Sequence, residues 1–315
     1  MKPKCSFTTD HGVGVGLRPV HYHLFQNSRP SNIQWVEVIT ENFLAWKSEP
    51  NEVQKKLNSF QNLIQMRANV PVALHGVSLN LGSIDPLCKK YLKNWKSLID
   101  SVDPIIVSDH LCWTGVHGQN NHDLLPLPYT SETLNWVSNK IETAQNYIKR
   151  RILIENVSSY AEFPQSEMSE CEFLFQVAEK SGCGILLDIN NIYVSHYNHQ
   201  TDPKKYIKTI PPKFVGQIHL AGHSNMGTYL IDTHDQDICK EVWDLYEYAL
   251  THFGLVSTMI ERDGNIPEWS IFEKEIYKIH EIRRKKIEPS RLANKLSKMH
   301  PKQKRNTTNI TNPSI

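Results

Sequence analysis

Residues 151–191 read RILIENVSSYAEFPQSEMSECEFLFQVAEKSGCGILLDINN, and this stretch decides the fold. It opens on a short apolar run, Arg151–Asn156, and closes on another, Gly184–Asn190. Both place Ile and Leu on consecutive positions, as strands buried on both faces must. Between them, Glu170–Ser181 carries apolar residues at three- and four-residue spacing, which lines them along one face of a helix. Strand, helix and second buried strand make a parallel βαβ unit. Each run also ends on acids and amides, IEN and LDINN, where an unpaired charge beside apolar strands costs several kcal/mol.

The same unit recurs in both directions. Strands are predicted at Gly12–Leu17, Trp35–Ile39, Val70–His75, Ile105–His110, Phe214–Ala221 and Val256–Glu261, giving eight in all. Helices are predicted at Glu52–Arg67, Pro86–Val102, Ser131–Tyr147, Asp237–Phe253 and Trp269–Arg283, with a shorter one at Asp202–Ile210. Asp85 before Pro86 reads as an N-cap followed by a first-turn proline. Eight alternating units predict an α/β (β/α)8 TIM barrel in a single domain. An open doubly wound sheet is the competitor. It would need a glycine-rich loop between an early strand and its helix, whereas Gly12, Gly14 and Gly16 lie within a strand.

Residues 1–11 read as an N-terminal extension, 12–283 as the barrel and 284–315 as a basic, disordered tail. From Arg283 to Arg305 ten Lys/Arg face the single acid Glu288. That segment is read as a solvated appendage rather than a nucleic-acid surface. No apolar run approaches the roughly 20 residues of a membrane-spanning helix. The start, MKPKCSFTTDHG, lacks the apolar core of a secretion signal, so the expected location is cytoplasmic. The 6 cysteines include no CxxC pair, which argues against a thiolate zinc site.

A barrel builds its site at the C-terminal ends of its strands. Those ends present His75, then Asp109 and His110, then Glu155 and Asn156, then Asp188, Asn190 and Asn191. His219 and His223 follow, then Glu261 and Asp263, and the loop after the seventh strand adds Asp232, His234 and Asp235. Singly, each has a bland reading: the histidine as a hydrogen-bonded loop residue, the aspartate as a helix cap. Their convergence on one axis points instead to bound cations. The candidates exceed what one ion takes, so two or three ions are implied, with Glu155 or Asp188 as a bridge. Imidazole with carboxylate and no thiolate suits Fe, Mn, Zn or Co.

The segments GVGLRP (14–19), EVITENF (37–43), LHGVSLNLGS (74–83), SDHLCW (108–113), DLLPLPYT (123–130), LLDINNIYVS (186–195), IHLAGH (218–223), IDTHD (231–235) and ERDGNIP (261–267) occur in that order. Together they resemble the DUF692 (UPF0276) family of multinuclear non-haem iron-dependent oxidative enzymes, of which the methanobactin biosynthesis oxidase is a member. The resemblance implies a TIM barrel with two or three iron ions (Fe2+/Fe3+) and O2 as co-substrate. It also implies oxidative modification of cysteine in a ribosomally made precursor peptide, aided by a leader-binding partner protein. Carried over by motif, the metal ligands are His75, His110, Glu155, Asp188, Asn191, His219, Asp232, His234 and Glu261. Asp109 is a marginal ligand, Ile39 replaces a residue that is His in some members, and Asp263 is the candidate for proton transfer. The alternative enzyme reading is a metal-dependent isomerase or hydrolase of the xylose-isomerase-like or endonuclease IV-like kind. A metal-binding scaffold without activity is the non-enzyme alternative.

Overall fold

The predicted strands pair in parallel and close on one another. In order around the barrel they are β1 (Val13–Gly16), β8 (Ser257–Ile260), β7 (Val215–Leu220), β6 (Gly184–Asp188), β5 (Leu153–Glu155), β4 (Val107–His110), β3 (Val72–Gly76) and β2 (Trp35–Ile39). This computed structural model describes residues 7, 9–44 and 50–299. The helices are α1 (Pro50–Arg67), α2 (Lys89–Val102), α3 (Ser131–Ile148), α4 (Glu170–Ser181), α5 (Ile189–His199), α6 (Pro203–Thr209), α7 (Lys240–Phe253) and α8 (Trp269–Met299).

Side chains alternate along a strand, so each strand sends every second residue into the barrel. Trp35, Ala73, Ile106, Leu153, Leu186 and Met259 form one apolar cluster of their own, a plug across the lumen. Gly14 makes room for it, because a Cβ there would lie 2.5 Å from the Trp35 indole. One inward step further along the same strands come Glu37, His75, Ser108, Glu155, Asp188 and Glu261. The intervening residues, such as Leu74, Ile154, Leu187 and Ile260, belong to the larger core that includes apolar residues of the helices. The register sets His110 beside Glu155 and Asp188 beside His219, so ligand candidates from adjacent strands meet at one height.

Local expectations fail where a side chain has another use. Helix α2 starts at Lys89, not Pro86, with Cys88 at its N-cap. Asp85 instead accepts a hydrogen bond from Gly118 N at 3.1 Å. Residues 113–125, for which the sequence predicts no element, form a hairpin of Trp113–Val116 with Gln119–Leu125. Its turn residues His117 and Gly118 both have positive φ, the conformation that matches strand twist. Residues 189–199 are helix rather than strand end and loop, because Asp188 caps them by accepting from Asn191 N. Asp237, expected to start α7, pairs with the buried Arg262 at 2.6 Å, and the helix begins at Lys240. Helix α8 runs on to Met299, past the expected end of the barrel at 283. The rest of the expected tail, 300–315, and most of the N-terminal extension lie outside the described residues.

Candidate metal centre

His75, next to last in β3, has Nδ1 2.7 Å from Ser108 Oγ, leaving Nε2 3.2 Å from Glu155 Oε2. His110 ends β4 with Nδ1 3.0 Å from the Gly76 carbonyl oxygen. That contact makes Nδ1 the donor and leaves the Nε2 lone pair free, 3.3 Å from the same Glu155 oxygen. Glu155, fully buried at the end of β5, turns its other oxygen, Oε1, to within 3.4 Å of His219 Nδ1. His219 Nδ1 also lies 3.1 Å from Glu261 Oε2, just beyond β8. His234, in the loop after β7, has Nδ1 3.3 Å from Glu261 Oε2 and 3.5 Å from Asp263 Oδ2.

These atoms fall into three sets whose members could share an ion: His75, His110 and Glu155; Glu155, Asp188, His219 and Glu261; and His234, Glu261 and Asp263. Two carboxylates belong to two sets each, which is the layout of bridging ligands. Glu155 is one, as expected from the sequence. The other is Glu261, whereas Asp188 sits in the middle set alone.

The remaining candidates support this core or lie apart from it. Asp232 Oδ1 is 2.7 Å from His234 Nε2, and its carboxylate accepts from Ser158 Oγ and Asn190 Nδ2. Asn191 is fixed by donating from Nδ2 to the Asn156 carbonyl, and its Oδ1 is buried without a partner. Asp109 is not in the cluster: its oxygens accept from His110 N and Leu79 N. His223 lies against Asn190 Oδ1 at 2.8 Å, and Asp235 ties Ser224 and Asn265.

Glu37 was not among the sequence candidates. It is buried on β2, with Oε1 2.9 Å from His219 Nε2, and its Oε2 accepts from Gln217 Nε2 at 2.6 Å. A carboxylate on the far imidazole nitrogen fixes the tautomer so that Nδ1 faces the cluster, the usual outer support of a metal-bound histidine. The signal available was a lone acid at the inward-facing position two residues after Trp35 in WVEVI.

The donor set fits metal ions on a test of its own. Both oxygens of Glu155, Asp188 Oδ2, Asn191 Oδ1 and His219 Nδ1 are buried and make no hydrogen bond. Protein interiors rarely leave such groups unsatisfied, and these gather at one place. Protonation shows the same strain. Burial, with Glu155 and Asp232 nearby, pushes the Asp188 carboxyl well above the carboxylate range. For His219, burial is outweighed by Glu37, Glu155 and Glu261, and its pKa rises well above the ordinary value. His234 is raised in the same way by Asp232, Asp263 and Glu261. Burial also opposes charge on Glu155, but His110, His219 and His75 bring it down to about 2. The carboxylates favour positive charge on His219 and His234, a role that bound cations would take over.

Solved structures share the fold. A D-psicose 3-epimerase from Clostridium cellulolyticum superposes with a TM-score of 0.57 at 10% identity, covering 87% of this chain and 99% of that one. The IOLI protein with a binding zinc atom gives 0.51 at 12% identity, covering 92% and 99%. At such identities the likeness is one of fold alone. No helix among the described residues is long and apolar enough to cross a membrane. Close sequence relatives carry the name UPF0276 protein. That of Caulobacter vibrioides is 49% identical over 256 residues, covering 81% of this chain and 88% of the relative. That of Acaryochloris marina is 40% identical over 270 residues, covering 86% and 94%. The family model described as RiPP precursor modification enzyme MbnB/TglH/ChrH matches residues 12–284. With nearly the whole barrel matched, the chain belongs to the MbnB/TglH/ChrH family of RiPP precursor modification enzymes.

Proposed function

We propose that this chain holds two or three iron ions in the strand-end cluster and uses O2 to modify cysteine residues of its precursor peptide. The observation that carries the reading is the pair of shared carboxylates, Glu155 and Glu261, linking three ligand sets. His75, His110 and Glu155 would hold the first ion. Glu155, Asp188, His219 and Glu261, with Asn191 alongside, would hold the second. His234, Glu261 and Asp263 would hold the third, with Asp232 orienting His234. Imidazole and carboxylate without thiolate is a donor set that admits iron. When bound, the ions supply a Lewis acid for a substrate thiolate and a redox partner for O2.

The chain's own groups do the rest. The plug below the cluster closes the lumen, so substrate enters from the strand-end side alone. Asp263 is the one exposed member of the three sets, with 46% of its side chain accessible. When the third position is empty, we assign it the proton taken from the substrate at the mouth. Delivery by a leader-binding partner protein and a cytoplasmic setting complete the proposal.

Iron-loaded enzyme, prepared without oxygen, would be mixed with a cysteine-containing precursor peptide and then exposed to O2. A change of peptide mass at the cysteine that requires both iron and O2 is the expected result. Oxygen-independent turnover of a sugar or of abasic DNA, with the peptide untouched, would establish the isomerase or hydrolase reading instead.

A further inference from the structure

The three ligand sets differ in one respect. Among the described residues, no Lys or Arg forms an ion pair with Glu155 or Asp188, whereas Arg18 reaches the third set. Arg18 follows β1 and continues its inward positions, Gly14 and Gly16, up to the rim. Its Nε donates to the Arg262 carbonyl at 2.8 Å, which fixes the guanidinium beside the chain leaving β8. Nη2 then pairs with Asp263 Oδ1 and lies 3.8 Å from Glu261 Oε1. The Arg18 side chain is only 13% exposed, so water screens these contacts weakly. One guanidinium therefore touches two of the three ligands of a single ion position. Asp263 is divided between them, with Oδ1 on Arg18 and Oδ2 facing His234.

We propose that Arg18 is the resident cation of the third position. It balances Glu261 and Asp263 when only the first two positions are filled, and it competes with a third ion for the same carboxylates. The first two ions are then held tightly, and the third is weak and exchangeable. Asp263 keeps Oδ1 on Arg18 in the two-ion state and gives up that pairing as a third ion takes the carboxylate. This inference rests on the metal-centre reading above and is independent of the peptide chemistry.

The test is equilibrium dialysis of the full chain, stripped with chelator, against Mn2+, with bound manganese measured by elemental analysis. The wild type is expected to take two ions tightly and a third more weakly. Arg18→Gln removes the competing charge and should tighten the third ion about tenfold, while the first ion, none of whose ligands Arg18 reaches, stays unchanged. Arg18→Lys keeps the charge and should keep the third ion weak. Asp263→Asn should lose the third ion alone, which decides the matter if Arg18→Gln fails to fold. An unchanged or weakened third ion in Arg18→Gln would overturn the assignment, as would a full third ion in Asp263→Asn. A wild type that takes fewer than two ions would bring down the metal reading, and the role of Arg18 with it.

Discussion

Two layers of the barrel lumen stand one inward step apart on the same strands. Leu153 is followed by Glu155, Leu186 by Asp188 and Met259 by Glu261. Each of these six is buried, and Glu155 and Asp188 are as inaccessible as Leu186. Burial therefore does not distinguish a plug from a site. The lower layer is stabilised by the removal of apolar surface from water, worth about 1.5–3 kcal/mol per large side chain. In the upper layer the comparable position holds groups whose burial is costly and whose lone pairs the protein leaves unmet. Among the other buried polar residues of the lumen, Ser108 pairs with His75 and Ser257 accepts from His11 N, while Gln217 donates to Glu37 and leaves its Oε1 without a partner. The lower layer makes the fold, while the upper layer gives up part of that stability to hold buried polar groups that could bind metal.

The comparison breaks most readily from below. Leu186→Ala opens a cavity in the plug and should destabilise the protein by about 2–5 kcal/mol. Denaturant unfolding would measure it, and the folded variant should keep the wild-type ion count. Loss of ions from a variant that remains folded would show that the plug positions the ligands directly. From above, Glu37→Gln should leave unfolding nearly unchanged and weaken ion binding about 10–100-fold by loosening the hold on His219. Competition with a chelator of known affinity measures this. Equal affinity in the variant would remove Glu37 from the support of the centre.

The smallest effect is in protons. His219 and His234 have raised pKa values, so in the metal-free protein they keep their protons as pH rises past the ordinary histidine range. An incoming ion must displace those protons. Binding should release roughly one to two protons per chain near neutral pH and weaken as pH falls. An indicator dye in weakly buffered solution reads the release, and binding without it would mean that the imidazoles are already neutral.

Much of this contrast was legible in the sequence. A buried strand that ends on IEN or LDINN shows both layers at once, because the side-chain period of two separates plug from ligand. That is why His75, His110, Glu155, Asp188, His219 and Glu261 could be placed from the strand ends. Asp188 satisfies both of its sequence readings, with Oδ1 capping α5 and Oδ2 left for an ion. Glu37 and Arg18 were harder, since each acts through a residue more than 180 positions away and no local pattern marks such a pairing. The 113–125 hairpin and the 189–199 helix were missed because each depends on one side chain's tertiary use, Asp85 on the turn and Asp188 on the helix start.

Anaerobic reconstitution with Fe2+, followed by metal analysis and Mössbauer spectroscopy of wild type and Glu155→Ala, tests most directly whether the upper layer holds several ions through shared carboxylates. Two or three irons per chain are expected in the wild type, with coupled spectra. In Glu155→Ala the first two irons, which share that residue, should be lost. A single iron in the wild type, or full iron occupancy in Glu155→Ala, would contradict that reading.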